Sequence, residues 1–154
     1  MGRGLGGLGA SPAARRSPPD RLNPMARVLL DTTVLIDVLR GRPAGARVES
    51  LHRQQGVLFV CAINVEEVIR GLRPGEEDGA RRLFNGVLVA PLGRVEGELA
   101  GRWRQRHAAR GVTLNQADCL VAAAALGVGA RLATGNVKDY PMPELVVEHW
   151  PVGY

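Results

Sequence analysis

Aromatic residues are scarce: two Trp, two Tyr and two Phe, 4% of 154 residues. So few leave no platform on which single-stranded bases can stack, which excludes a base-stacking binding module. Cysteine is scarcer still, with Cys61 and Cys119 each inside an apolar stretch. Neither a disulfide framework nor a spaced thiolate metal site can be built from them, and they read as reduced core residues of a cytoplasmic protein. No apolar run approaches the roughly 20 residues that span a bilayer, so no membrane partner is expected. Histidine is also sparse, and His52, His107 and His149 are too far apart in sequence to suggest a ligand set. They are assigned to surface or structure.

What the chain does contain is aliphatic: 45% of its residues are hydrophobic, mostly Val, Leu and Ala. That suffices for one ordinary core. The net charge of +5 is uneven, because Arg3, Arg15, Arg16 and Arg21 against Asp20 place three of the five positive charges in the first 24 residues. Residues 1–24, rich in Gly, Pro and Arg and without hydrophobic period, are expected to be a disordered leader upstream of a start at Met25. The folded domain is expected over 25–154. Its mild residual basicity is compatible with a phosphate-backbone partner but does not specify one.

From Met25 onward short apolar runs alternate with helical patterns. Strands are predicted at Val28–Leu30, Val57–Val60, Val87–Ala90 and Arg131–Ala133, with an edge strand at Val146–Glu148. Helices are predicted at Thr33–Arg40, Ala44–Gln55, Ile63–Leu72, Glu76–Asn85, Val95–Arg110 and Asn115–Leu126. Strands separated by helices, with continuously apolar strand runs, indicate an α/β fold with a mostly parallel sheet covered on both faces. In such sheets ligands meet the chain just beyond the carboxyl ends of the strands.

Polar residues collect at those ends. Asp31 directly follows Val28-Leu29-Leu30; it is either the N-cap of the next helix or a ligand, and Thr32 and Thr33 stand ready to cap in its place. Asp118 lies in the first turn of an Ala-rich helix opened by Asn115, where a capping box is the structural alternative. The helix from Ile63 carries Glu66 and Glu67. With Val65, Val68, Ile69 and Leu72 taken as its buried face, periodicity does not choose between them. The last helix-flanked strand runs into Thr134-Gly135-Asn136-Val137-Lys138-Asp139-Tyr140, which supplies Thr134, Asn136 and Asp139 to the same rim as Asp31. Carboxylates gathered in one crevice repel by about 4 kcal/mol per pair at 4 Å and an effective dielectric of 20. A divalent cation relieves that repulsion, and an all-oxygen donor set suits Mg²⁺ or Mn²⁺ rather than zinc. Such a site activates water against a phosphodiester.

These residues resemble the PIN-domain nucleases, and more narrowly the VapC-type ribonuclease toxins of bacterial toxin–antitoxin pairs. The resemblance runs from about Met25 to the C-terminal end. It rests on Val28-Leu29-Leu30-Asp31-Thr32-Thr33, on Glu67 four residues before Gly71, on Ala117-Asp118 opening an Ala-rich helix, and on the Thr134-x-Asn136-x-x-Asp139-aromatic run. It implies a PIN-like three-layer α/β/α fold with four to five strands and a Mg²⁺-dependent endoribonuclease in which Mn²⁺ can substitute. It further implies Asp31 and Asp118 as metal ligands, Glu67 (selected over Glu66) completing the acidic cluster, and Asp139 as the fourth acid, acting on the metal, through water or on the loop. Thr33 would orient Asp31. A homodimer, a VapB-type antitoxin and an RNA substrate, such as tRNA or rRNA, are the implied partners. Arg70, Arg102, Arg106, Arg110, Arg131 and Lys138 are candidate phosphate contacts. A haloacid-dehalogenase-like phosphatase also begins with a strand and an Asp, but it needs a second Asp where Thr33 stands. A PIN-like domain that binds without cutting would not need the full acid set.

Overall fold

The computed structural model describes residues 26–153, so the expected leader lies outside the described residues. Strand β1 (Arg27–Leu30) leads into helix α1 (Thr32–Leu39), α2 (Ala44–Arg53), β2 (Val57–Val60), α3 (Ala62–Arg70), α4 (Glu77–Asn85) and β3 (Leu88–Val89). Then follow α5 (Arg94–Ala108), α6 (Gln116–Gly127), β4 (Arg131–Thr134), a single 3₁₀ turn (Val137–Asp139) and β5 (Val147–His149). The sheet order is β3-β2-β1-β4-β5, and every pairing is parallel. The chain first builds outward from β1 through β2 to β3, then returns to the other side of β1 with β4. The switch point therefore falls between β1 and β4, where the two connections diverge and leave a crevice.

Side-chain alternation along the strands divides the interior into two layers. Val28, Leu30, Leu58, Val60 and Ala133 point into a core with Val34, Leu35, Val48 and Val68 of the first three helices. Leu29, Phe59 and Leu132 point the other way, against Trp103 of α5 and Cys119, Val121 and Ala122 of α6. Helix α6 is buried on most of its surface because its run of Ala lets it lie close to the sheet. Both cysteines are free and buried, and burial raises the Cys61 and Cys119 thiols.

The α/β/α expectation holds, with one departure. Strand β3 was expected as a buried run, yet Leu88 and Val89 are 57% and 59% exposed. The sheet ends there, and no helix of the described chain covers that edge. Among the described residues no helix is long and apolar enough to cross a membrane.

Candidate active site

Asp31 stands at the switch point. Its backbone N–H still belongs to the sheet, donating to Ala133 O at 2.9 Å, while its side chain caps α1 by accepting from Thr32 N at 2.9 Å. The expectation that Thr32 or Thr33 would relieve Asp31 of capping is thus corrected: the helix begins at Thr32, so both threonines are already inside its first turn. Capping uses only part of the carboxylate. Oδ2 accepts from Thr134 Oγ1 at 2.7 Å, and Oδ1 also lies 3.4 Å from Asn64 Nδ2. The charge is 8% exposed and held from three elements.

Helix α3 is turned differently from its apolar pattern. Ile69, placed on the buried face by periodicity, is 52% exposed, whereas Asn64 is fully buried. A polar anchor sets the rotation: Asn64 Oδ1 accepts from Cys61 N at 3.0 Å, and its Nδ2 donates to Thr32 Oγ1 at 3.1 Å. Glu67, one turn after Asn64, consequently faces α1, where its Oε1 accepts from Thr32 Oγ1 at 3.1 Å. Glu66 points to solvent beside Arg70, 3.9 Å away. Geometry separates the two glutamates that periodicity left equal. Asn64 itself was not singled out in the sequence; its signal was an Asn one turn before an acid at the start of an otherwise apolar helix.

Asp118 receives its position from the cap of α6. Asn115 Oδ1 accepts from Asp118 N at 3.1 Å, which is half of a capping box and leaves the Asp118 carboxylate turned to the cleft. Its pKa is pushed up to about 6, first by burial and then by the charges of Asp139, Asp31 and Glu67. The charges of the other three expected acids therefore reach Asp118. Asp139, in the exposed 3₁₀ turn, is the strongest of the three neighbouring charges.

The loop after β4 is fastened to this centre. Thr134, fully buried, also accepts from Asn136 N at 3.0 Å, so one hydroxyl links Asp31 to the loop. Thr33 does not touch Asp31 as expected; its Oγ1 accepts from Gly135 N at 3.1 Å and holds the loop instead. A Cβ on Gly135 would meet Val152 Cγ2 at 2.6 Å, so any larger residue there would have to displace the Val152 side chain. The Asn136 side chain is exposed, and Tyr140 turns inward, 4% exposed, beside Asp31 and Asp118. Of the expected phosphate contacts, Arg70, Arg106 and Arg131 are in ion pairs with Glu66, Glu144 and Glu148.

The donor set is made of hard oxygens. Among the described residues, however, no group of three or more acidic, His or Cys side chains is tight enough to hold an ion by itself. The four acids lie near one another without forming a cage. That arrangement fits Mg²⁺, which keeps several waters and takes only one or two carboxylates directly.

Comparison with known proteins agrees with this architecture. Ribonuclease VapC19 of Mycobacterium tuberculosis is 35% identical over 123 residues, covering 76% of this chain and 95% of the relative. Ribonuclease VapC10 of the same organism is 33% identical over 121 residues, covering 76% of this chain and 88% of the relative. The fold is similar to that in VapBC2 from Rickettsia felis bound to a DNA fragment from its promoter, with a TM-score of 0.69, 21% identity, and coverage of 80% of this chain and 98% of that one. It is similar also to VapBC-1 from nontypeable Haemophilus influenzae, with a TM-score of 0.66, 23% identity, and coverage of 80% and 98%. The PIN domain model matches residues 28–138, from β1 through the loop that carries Asn136, and with these relatives it establishes that the chain belongs to the PIN-domain family, among the VapC ribonucleases.

Proposed function

We propose that this chain is the toxin of a VapBC-type toxin–antitoxin pair, an endoribonuclease that hydrolyses RNA phosphodiesters with Mg²⁺ or Mn²⁺. The observation that carries the reading is the gathering of Asp31, Glu67 and Asp139 near Asp118 at the switch point, with Asp31 held by Thr134 Oγ1 at 2.7 Å and Glu67 by Thr32 Oγ1 at 3.1 Å. Carboxylates arranged against their own electrostatics are characteristic of a functional site.

Asp31 and Asp118 are the proposed metal ligands, with Glu67 and Asp139 holding the cation's water shell. When bound, such an ion would supply charge to neutralise the scissile phosphate and would acidify water. The chain's own contribution is orientation. Thr134, Asn64 and the Thr32 amide hold the Asp31 oxygens in place, and Thr32 fixes Glu67 relative to them. Thr33 and Asn136 brace the loop that brings Asp139 to the cleft. Lys138, exposed on that loop, is the nearest cation in sequence for a flanking phosphate.

VapB-type antitoxin and a second copy of the chain are the proposed partners, supported by the VapBC complexes among the structural neighbours. Exposed Ile69, Leu88 and Val89 offer apolar surface for such assembly. Purified protein is expected to cut RNA with Mg²⁺ or Mn²⁺, to stop on addition of EDTA, and to be inactive as Asp118→Asn. Cleavage indifferent to both treatments would overturn the metal-dependent reading.

A further inference from the structure

Tyr140 is packed as a core residue yet ends in a polar atom that packing does not explain. Its ring lies in the apolar layer with Trp103, Cys119 and Met142. Its hydroxyl is, among the described residues, the one buried side-chain polar atom without a hydrogen-bond partner. Buried hydroxyls are ordinarily bonded, and phenylalanine would fill the same space without an orphaned group. The hydroxyl sits next to the Asp31 and Asp118 carboxylates, close enough to act on both, without a well-formed hydrogen bond to either.

The two neighbours differ in what they already hold. Asp31 accepts from Thr32 N, Thr134 Oγ1 and Asn64 Nδ2. Asp118 uses its backbone N–H on Asn115, and the Tyr140 hydroxyl is the side-chain donor that stands beside its carboxylate. We propose that Tyr140 is a positioning residue: its hydroxyl donates to the Asp118 carboxylate once the cleft takes up a divalent cation, and so fixes the direction in which Asp118 presents its oxygens. The backbone sets this up, since Tyr140 N donates to Val137 O at 3.1 Å and the 3₁₀ turn drives the phenol beneath the loop. Residues that orient a ligand from behind carry much of a site's metal affinity. This inference rests on the nuclease reading above.

The test is Tyr140→Phe, compared with the unaltered chain in three measurements: Tm in EDTA, Mn²⁺ affinity by calorimetry, and kcat and KM on RNA with Mn²⁺. The expected result is a Tm equal to or above that of the unaltered chain, because an unpartnered hydroxyl has been removed. Mn²⁺ affinity should fall about 10-fold or more, with kcat lowered and KM for RNA unchanged. Unaltered Mn²⁺ affinity in a variant that folds and cuts normally would overturn the role of Tyr140 while leaving the nuclease reading intact. Failure of Tyr140→Phe to fold would make the hydroxyl structural and equally overturn it. If the unaltered chain neither binds Mn²⁺ nor cuts RNA, the nuclease reading falls and takes this inference with it.

Discussion

The two ends of helix α1 each bury a carboxylate, Asp31 at 8% exposure and Asp37 at 1%, and they are buried for different ends. Asp37 is closed off: Oδ2 accepts from Ala44 N at 3.1 Å, Oδ1 from Gly153 N at 2.9 Å, and Arg42 stands 3.9 Å away. Its donors tie together the turn into α2 and the C-terminal segment, and a countercharge balances it. Asp31 has comparable donors but, among the described residues, no ion pair with a cation. Its charged neighbour is Asp118, which Asp139 and Glu67 also reach. A carboxylate with donors and a countercharge is a staple, whereas one with donors and further carboxylates awaits an outside cation. The difference can be read without reference to any relative.

The sharpest way to break this comparison is to exchange the outcomes of the two substitutions. Asp31→Asn is expected to lower RNA cleavage by at least about 10²-fold, the scale of losing one preorganised electrostatic group, and Asp37→Asn to leave cleavage per folded molecule near that of the unaltered chain. Loss of activity from the second with retention in the first would invert the assignment. Stability should separate them in the opposite direction. Asp37→Ala leaves the buried Ala44 N–H and the part-buried Gly153 N–H without their acceptor and should cost about 2 to 4 kcal/mol in urea unfolding.

A smaller effect tests the rotation of α3. Glu67→Gln is expected to reduce cleavage about tenfold, on the scale of residues that orient a site from behind its ligands, while Glu66→Gln leaves it unchanged in the same assay. A larger loss from Glu66→Gln would mean that α3 presents its other side.

The smallest expected effect is a slope with pH. Folding raises the Asp118 carboxyl from 3.8 to about 6, so its contribution to stability is fully present below pH 3.8 and is lost as pH rises through 6. In EDTA, Tm should therefore decline between pH 4 and 6 through this group, and Asp118→Asn should flatten the decline. Mn²⁺ should offset it above pH 6. An equal slope in the Asn variant would place the titration elsewhere.

Asp31, Asp118 and Asp139 were visible in the sequence because each follows a local signal, whereas Glu67 was selected over Glu66 by the family pattern. Asp31 ends an apolar run, Asp118 opens an Ala-rich helix, and Asp139 belongs to a polar turn after a strand. The residues that serve them were less visible. Asn64 was hidden by an apolar pattern that placed Ile69 inside, and of the supporting residues expected, Thr33, Thr134 and Asn136, Thr33 holds the loop and not Asp31. The hydroxyl that actually reaches Asp31 belongs to Thr134, 103 residues away. Tyr140 was only the aromatic that closes a motif.

Alternation of short aliphatic runs with helical periods determined the α/β class, and the positions of polar residues at strand ends located the rim of a site. These are local properties, set by backbone period and by which faces must leave water. The tertiary structure alone decided the order β3-β2-β1-β4-β5, the rotation of α3 about Asn64, the transfer of Asp31 to Thr134, and the burial of the Tyr140 hydroxyl beside two carboxylates. Each of these depends on hydrogen bonds or contacts between segments far apart in the chain, whose partners no local period can name.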